Sequence, residues 1–270
     1  MHPISIAAEP VFTLWGIAIT NTLLTTWIVM AIVLLFAFLI GRSVRLVPRN
    51  NTQNLTEVII GGIYDQMESL LGCAKETKKF FGLIATIFIF VLINNWFGLI
   101  PGVTAVQIEP GVAHSESAEI SHVNEVSSHA TAAETAEEAH HTVPLMRAAS
   151  SDLSFTLALA LIAFFYIQFM GLSYLGFRYL GKFLNFKSPV GFFVGILELI
   201  SELAKILSFS FRLFGNIFAG EVVLVVMTFL VPFILPAPFY GIEIFVGLIQ
   251  AAVFAGLTLA FIKTAITVHH

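Results

Sequence analysis

The sequence predicts an all-α integral membrane protein: upright spanning helices followed by a long helical hairpin inclined in the membrane. Three observations lead there. The chain is 57% hydrophobic and 11% charged, with a mean hydropathy of +0.91, where soluble domains carry about 25% charged residues. Three apolar runs are each long enough to cross a hydrocarbon layer of ~30 Å at ~1.5 Å per residue. The last third then places 42 residues between Pro189 and Pro232 without a proline, too many for one upright crossing. A soluble core would have to enclose all of these helices and 27 phenylalanines, which calls instead for lipid or partner helices.

The first run, 13–40, leads into Gly41-Arg42-Ser43-Val44-Arg45 and Arg49. The second, 80–100, follows Lys75, Lys78 and Lys79 and stops at Pro101-Gly102. The third, 152–177, precedes Arg178, Lys182 and Lys187. The 41–79 and 178–188 connections hold nine of the 13 Lys and Arg residues, which assigns both to the cytoplasm. The N-terminus and the 101–151 segment, whose only cation is Arg147, are then expected outside, and the C-terminus in the cytoplasm. The start has no basic n-region and no Arg-rich transit sequence, so no cleavable signal is expected and a bacterial inner membrane is favoured. Across 51–72, Leu55, Ile59, Ile63, Met67 and Leu70 recur at helical spacing opposite Asn54, Asp65 and Glu68. That pattern predicts an amphipathic helix on the cytoplasmic surface.

The outer segment differs in kind. Seven of the 17 acidic residues lie between Glu109 and Glu138, with no Lys or Arg among them. Its five histidines (His114, His122, His129, His140, His141) match no metal-ligand spacing, and its composition cannot bury a core. A solvated loop is expected, with no metal and no cofactor. Outside it the chain is slightly basic, so nothing points to a nucleic-acid partner, and the single Cys73 excludes an intrachain disulfide.

In the C-terminal third, 189–231 and 239–268 are expected to form the hairpin, turning at Pro232, Pro236 and Pro238. The first arm, at ~63 Å, must tilt strongly or bend near Gly215 or Gly220. Arg212 sits far from either end of it. An arginine there costs ~2.5–3.5 kcal/mol on insertion scales, keeps its proton, and signals a role and a partner. At ~100° per residue, Glu198, Ser201, Lys205, Ser208, Arg212 and Asn216 fall in a sector of roughly 80°, with Glu202 at its edge and Glu221 on the opposite side. Glu243 and Gln250, seven residues apart on the return arm, share a face. These positions suggest two polar paths that do not meet. One, lined by Glu198 and Glu202 and reaching Ser208, comes from inside. The other, lined by Glu221 and Glu243, comes from outside, and Arg212 stands between them. If the two outer carboxylates are close, they should hold one proton between them.

At these residues the chain resembles subunit a of F-type ATP synthases. The run Arg212-Leu213-Phe214-Gly215-Asn216 with Ala219-Gly220-Glu221 looks like that family's signature. Asn94 with Gly98-Leu99-Ile100-Pro101-Gly102, the Asp152–Leu161 run and the spacing of Gln250 are similar to its other motifs. The likeness covers the chain except the 103–146 insertion. It implies a single membrane domain whose inclined hairpin packs against a ring of c subunits, with b stator subunits and the rest of the ATP synthase as partners. Arg212 would then attract each arriving ring carboxylate and bar direct ion passage, beside Asn216 and Gln250. Glu198 would serve the cytoplasmic exit, and Glu221 with Glu243 the outer inlet, most simply for protons. Some members carry a histidine in that last pair; here both are glutamates. Such a subunit is not catalytic alone. Two other readings remain open at this point: an independent secondary proton or ion transporter, and a membrane anchor without transport.

Overall fold

The computed structural model describes residues 10–14, 17–43, 51–100, 107–108, 143–176, 179, 181, 189–232 and 234–267. Its architecture is helical, with five helices long and apolar enough to cross a membrane among the described residues. Most of the predicted 101–151 loop (101–106 and 109–142, with the Pro101-Gly102 stop) and the basic residues Arg45, Arg49, Arg178, Lys182 and Lys187 lie outside the described residues.

The first spanning helix, α1, is Asn21–Ser43, so its start is eight residues later than the expected 13. The preceding residues form an antiparallel ribbon, β1 (Pro10–Leu14) with β2 (Ile17–Thr20). The stretch is rich in Val, Ile, Phe and Thr, which favour strand. The boundary has a local cause: the Thr20 hydroxyl accepts the Leu23 amide at 3.3 Å, capping an otherwise unpaired donor of the first turn. At 23 residues, α1 is still ~35 Å long and crosses. Its N-terminal turns bury Asn21, Thr22, Thr25 and Val29, while Leu34, Phe36 and Phe38 farther along are exposed, as lipid-facing side chains would be.

The amphipathic segment is helix α2, Asn51–Leu71. Met67 enters the core with Leu71 beside the stripe, and Ile63 packs against it, but Leu55, Ile59 and Leu70 of the stripe stay exposed. Only the C-terminal half of the stripe is covered by α3 (Ala74–Phe97). That helix begins six residues before the expected 80, so Lys75, Lys78 and Lys79 belong to its first turns. After it, Gly98 has no side chain where Ala148 sits, so the chain around Ala148 lies directly on the helix end.

That return consists of β4 (Val143–Pro144), paired with β3 (Gln107–Ile108), and a single 3-10 turn at Ala149–Ser151. Helix α4, Leu153–Leu175, follows. Asp152 caps it by accepting the Ser154 amide at 2.9 Å, and Gly176 ends it at a φ of +60°, a conformation that favours glycine. Two long helices then form the hairpin: α5, Pro189–Leu230, 42 residues, and α6, Pro236–Ile266, 31 residues. At ~63 Å and ~47 Å, both exceed the hydrocarbon thickness of ~30 Å. Helix α5 runs unbroken through Gly215 and Gly220. The core joins Phe80, Ile84 and Val91 of α3, Ala160 and Ala163 of α4, Phe209 and Leu213 of α5, and Phe254, Leu259 and Ile262 of α6. Helices α3 and α4 thus fill one side of the hairpin, and the other side of α5 is left exposed.

Candidate functional site

Arg212 lies on that uncovered side. Its neighbours Leu213 and Phe209 point into the core at 0% and 3% exposure, whereas Phe211, Leu207 and Leu203 are exposed beside it. The guanidinium has one hydrogen bond, donated to the Ser208 hydroxyl one turn away at 3.3 Å. No carboxylate pairs with it among the described residues. Ser201, Ser208, Arg212 and Asn216 are all exposed, so most of the polar stripe faces outward. At its edge, Asn216 Nδ2 donates to Gln250 Oε1 at 2.8 Å. Gln250 is buried on α6, and this bond ties the exposed face to the interior.

Toward the N-terminal part of α5 the structure separates two residues that the sequence groups together. Glu202 is 4% exposed and turns toward α4 instead of lying along the stripe. It accepts Gln168 Nε2 at 3.0 Å and Lys205 Nζ at 2.6 Å. Gln168 in turn accepts the Tyr179 hydroxyl at 2.7 Å. Tyr179, beyond the end of α4, rests its ring where a side chain on Gly171 would stand. Burial pushes the Tyr179 phenol up to about 12, with the charges of Glu202 and then Glu198 adding to it. Glu198 is half-buried. Tyr179 and Gln168 escape a reading of sequence because neither is an ionisable residue inside an apolar run.

On the other side of Arg212, Glu221 has a partner that the sequence reading overlooked. Arg147 Nε lies 3.1 Å from Glu221 Oε1 and 3.3 Å from Oε2, and Nη2 lies 3.2 Å from Oε2. The return strap positions that arginine. The Arg147 amide donates to the Thr25 hydroxyl at 3.3 Å, Thr22 donates to Asp152 Oδ2 at 2.9 Å, and Asn21 Nδ2 donates to the Pro144 carbonyl at 3.3 Å. The signal was present in the sequence, since Arg147 is the only cation of the 101–151 segment and lies five residues before Asp152.

Glu243 on α6 is half-buried, and its carboxylate lies where Gly220 of α5 has no side chain. Among the described residues it makes no hydrogen bond or ion pair, and none joins it to Glu221. The expected proton shared between these two carboxylates therefore has no bond to carry it. The two remain close along the fold because Gly220 and Glu221 are consecutive.

The interior also buries several polar side chains. Asn94, Asn95, Ser150 and Gln250 are each at most 3% exposed. Each leaves one side-chain atom without a hydrogen-bond partner among the described residues: Asn94 Oδ1, Asn95 Oδ1, Ser150 Oγ and Gln250 Nε2. Asn95 Nδ2 and Trp96 Nε1 bind the Gly247 and Ile244 carbonyls at 3.1 and 3.0 Å, which aligns α3 with this stretch of α6. Buried polar atoms without partners are rare and call for water or a passing ion.

An unneutralised arginine on an exposed apolar helix face, with carboxylates set apart on either side, defines a membrane ion-pathway protein. Comparison with known proteins narrows this. The family described as ATP synthase A chain matches residues 23–263. The ATP synthase subunit a of Moorella thermoacetica is 30% identical over 259 residues, 96% of this chain and 96% of the relative. The chloroplastic ATP synthase subunit a of Stigeoclonium helveticum is 32% identical over 250 residues, 93% of this chain and 86% of the relative. The chain belongs to the ATP synthase A chain family. It is a multi-pass proton-translocating membrane subunit of the Fo sector, works with the c-ring and b subunits, and is not catalytic by itself.

Proposed function

We propose that Arg212 is the point at which ring carboxylates exchange between two offset half-channels. The observation that carries this is the exposed guanidinium with no carboxylate paired to it among the described residues. A cation so placed in an apolar face needs a neutralising charge from another chain. The neighbouring Ser208, Gly215 and Ala219 are small, which lets a ring helix approach closely.

On this reading, the outer half-channel runs past Glu221 and Glu243 and the buried polar atoms of Asn94, Asn95 and Gln250. The cytoplasmic half-channel opens along Glu198, with Glu202 held behind it by Gln168 and Lys205. Asn216 and Gln250 steady the stripe next to Arg212. A proton reaching a ring carboxylate from outside neutralises it and lets it move into lipid. A deprotonated carboxylate arriving on the other side is attracted to Arg212, and the same positive charge bars protons from leaking straight across. The distribution of Lys and Arg supports an N-terminus and 101–151 segment outside and a cytoplasmic C-terminus, in a bacterial inner membrane.

The test is proton-driven ATP synthesis in vesicles holding the assembled enzyme with Arg212→Ala. Synthesis is expected to vanish although the chain still co-purifies with the ring. Retention of half the wild-type rate would overturn the assignment.

A further inference from the structure

We infer that the two outer carboxylates do different jobs: Arg147 holds Glu221 as a fixed, neutral ion pair, and Glu243 alone carries the proton. The inference rests on the outer half-channel proposed above and assigns its chemistry residue by residue.

Three observations support it. Arg147, 6% exposed, grips both oxygens of Glu221 through Nε and Nη2. The strap that carries it is itself anchored, through Thr25 on the Arg147 amide and Thr22 on Asp152, to the outer end of α1. A carboxylate held this way is neutralised where it stands and oriented by a rigid fork. Glu243 lacks all of this. Its carboxylate has no cation and no donor among the described residues, and it lies on the bare backbone at Gly220. Only a group without a fixed partner can take up and release a proton without breaking an ion pair in each cycle.

The position suits the task. Gly220, Asn216 and Arg212 are spaced one turn apart along α5, so the Glu243 carboxylate lies ~12 Å of axial rise from the arginine. The Asn216–Gln250 bond stands between the two. In the step itself, the Glu243 carboxylate binds a proton from outer water and becomes the neutral acid. Its O–H bond then breaks as the proton passes to a deprotonated ring carboxylate, and Glu243 returns to its starting charge. Glu221 and Arg147 stay paired throughout, so no net charge beside Glu243 opposes either half of the cycle. Arg147 is therefore a positioning residue.

The experiment measures passive proton flow through the membrane sector in vesicles stripped of the soluble ATPase, with ring co-purification confirming assembly. Glu243→Gln is expected to lower flow at least ~10-fold, and Arg147→Gln to do much the same by leaving Glu221 charged and unpaired. Removing both partners, in Arg147→Gln with Glu221→Gln, should raise flow above that of either single variant, because each single variant breaks the largely buried pair from one side, a strongly non-additive cycle. Arg147→Lys, which keeps the charge but loses the fork, should fall between wild type and Arg147→Gln. If Arg147→Gln does not assemble, the double variant and the lysine variant decide. Two results would overturn the division of labour: a double variant as damaging as Glu243→Gln, or a double variant no better than Arg147→Gln. Unchanged flow in Glu243→Gln is a separate outcome, because it removes the outer half-channel itself and this inference with it.

Discussion

Arg147 and Arg212 should respond in opposite ways to replacement by alanine, and the structure sets the size of the difference. Arg147→Ala strips Glu221 of three contacts between 3.1 and 3.3 Å. Breaking a fully buried pair costs about 3–5 kcal/mol. The Glu221 side chain is 26% exposed, so a loss of about 2–3 kcal/mol is the better expectation. Arg212→Ala removes one 3.3 Å hydrogen bond on an exposed face, together with a residue whose insertion costs ~2.5–3.5 kcal/mol. Its stability should be unchanged or increased. The assay is protease resistance of the detergent-solubilised chain against temperature, run beside proton-driven ATP synthesis. Arg147→Ala should melt earlier, whereas Arg212→Ala should hold its midpoint and lose synthesis entirely. A fall in midpoint for Arg212→Ala as large as that for Arg147→Ala would show that Arg212 is neutralised within its own chain, and the argument for an external partner would fail.

Three further outcomes follow from particular contacts. Gly220→Ala places a methyl group where the Glu243 carboxylate lies. That carboxylate ends a flexible side chain, so thermal stability should hold while ATP synthesis falls ~10-fold or more through misplacement; wild-type synthesis would refute the seating. Replacing Asn216 and Gln250 by leucine, singly and together, should reveal a coupling of about 1 kcal/mol for their 2.8 Å hydrogen bond; additive losses in the same melting assay would show that the bond contributes nothing. Tyr179 keeps its proton longer in the folded chain, so its contribution is complete below the ordinary tyrosine value of 10.0 and is lost as pH rises to about 12. The stability of wild type relative to Tyr179→Phe should decline across that window, and parallel curves would refute it.

The polar residues of the hairpin were legible in the sequence because an apolar helix makes any charged residue conspicuous. Arg212, Asn216, Gln250, Glu221 and Glu243 stand out against phenylalanine and leucine before any coordinates are known. Their partners were less visible. Helical angles placed Glu202 at the edge of the stripe, and a shift of that size decides whether a side chain faces a partner or the core; packing against Gln168 resolved it inward. The start of α1 was misjudged for a similar reason. Residues 13–20 are as apolar as a spanning helix, and what stops the helix is the Thr20 hydroxyl, one cap in a run that hydropathy reads as continuous.

Composition and the spacing of apolar runs determined the membrane class, the number of long helices and the unusual length of the hairpin. These follow from the thickness of the bilayer and the rise of a helix, which act on each segment separately. Tertiary structure alone decided that Glu221 is paired and that Glu243, among the described residues, is not. Arg147 lies 74 residues before Glu221, and although it stands out as the only cation of the 101–151 segment, the sequence does not say which carboxylate it meets. The glycine that receives the Glu243 carboxylate belongs to a different helix. A charge is evident from its own residue type, but its neutralisation depends on which distant atoms the fold brings within about 3 Å, and only the packed helices specify that.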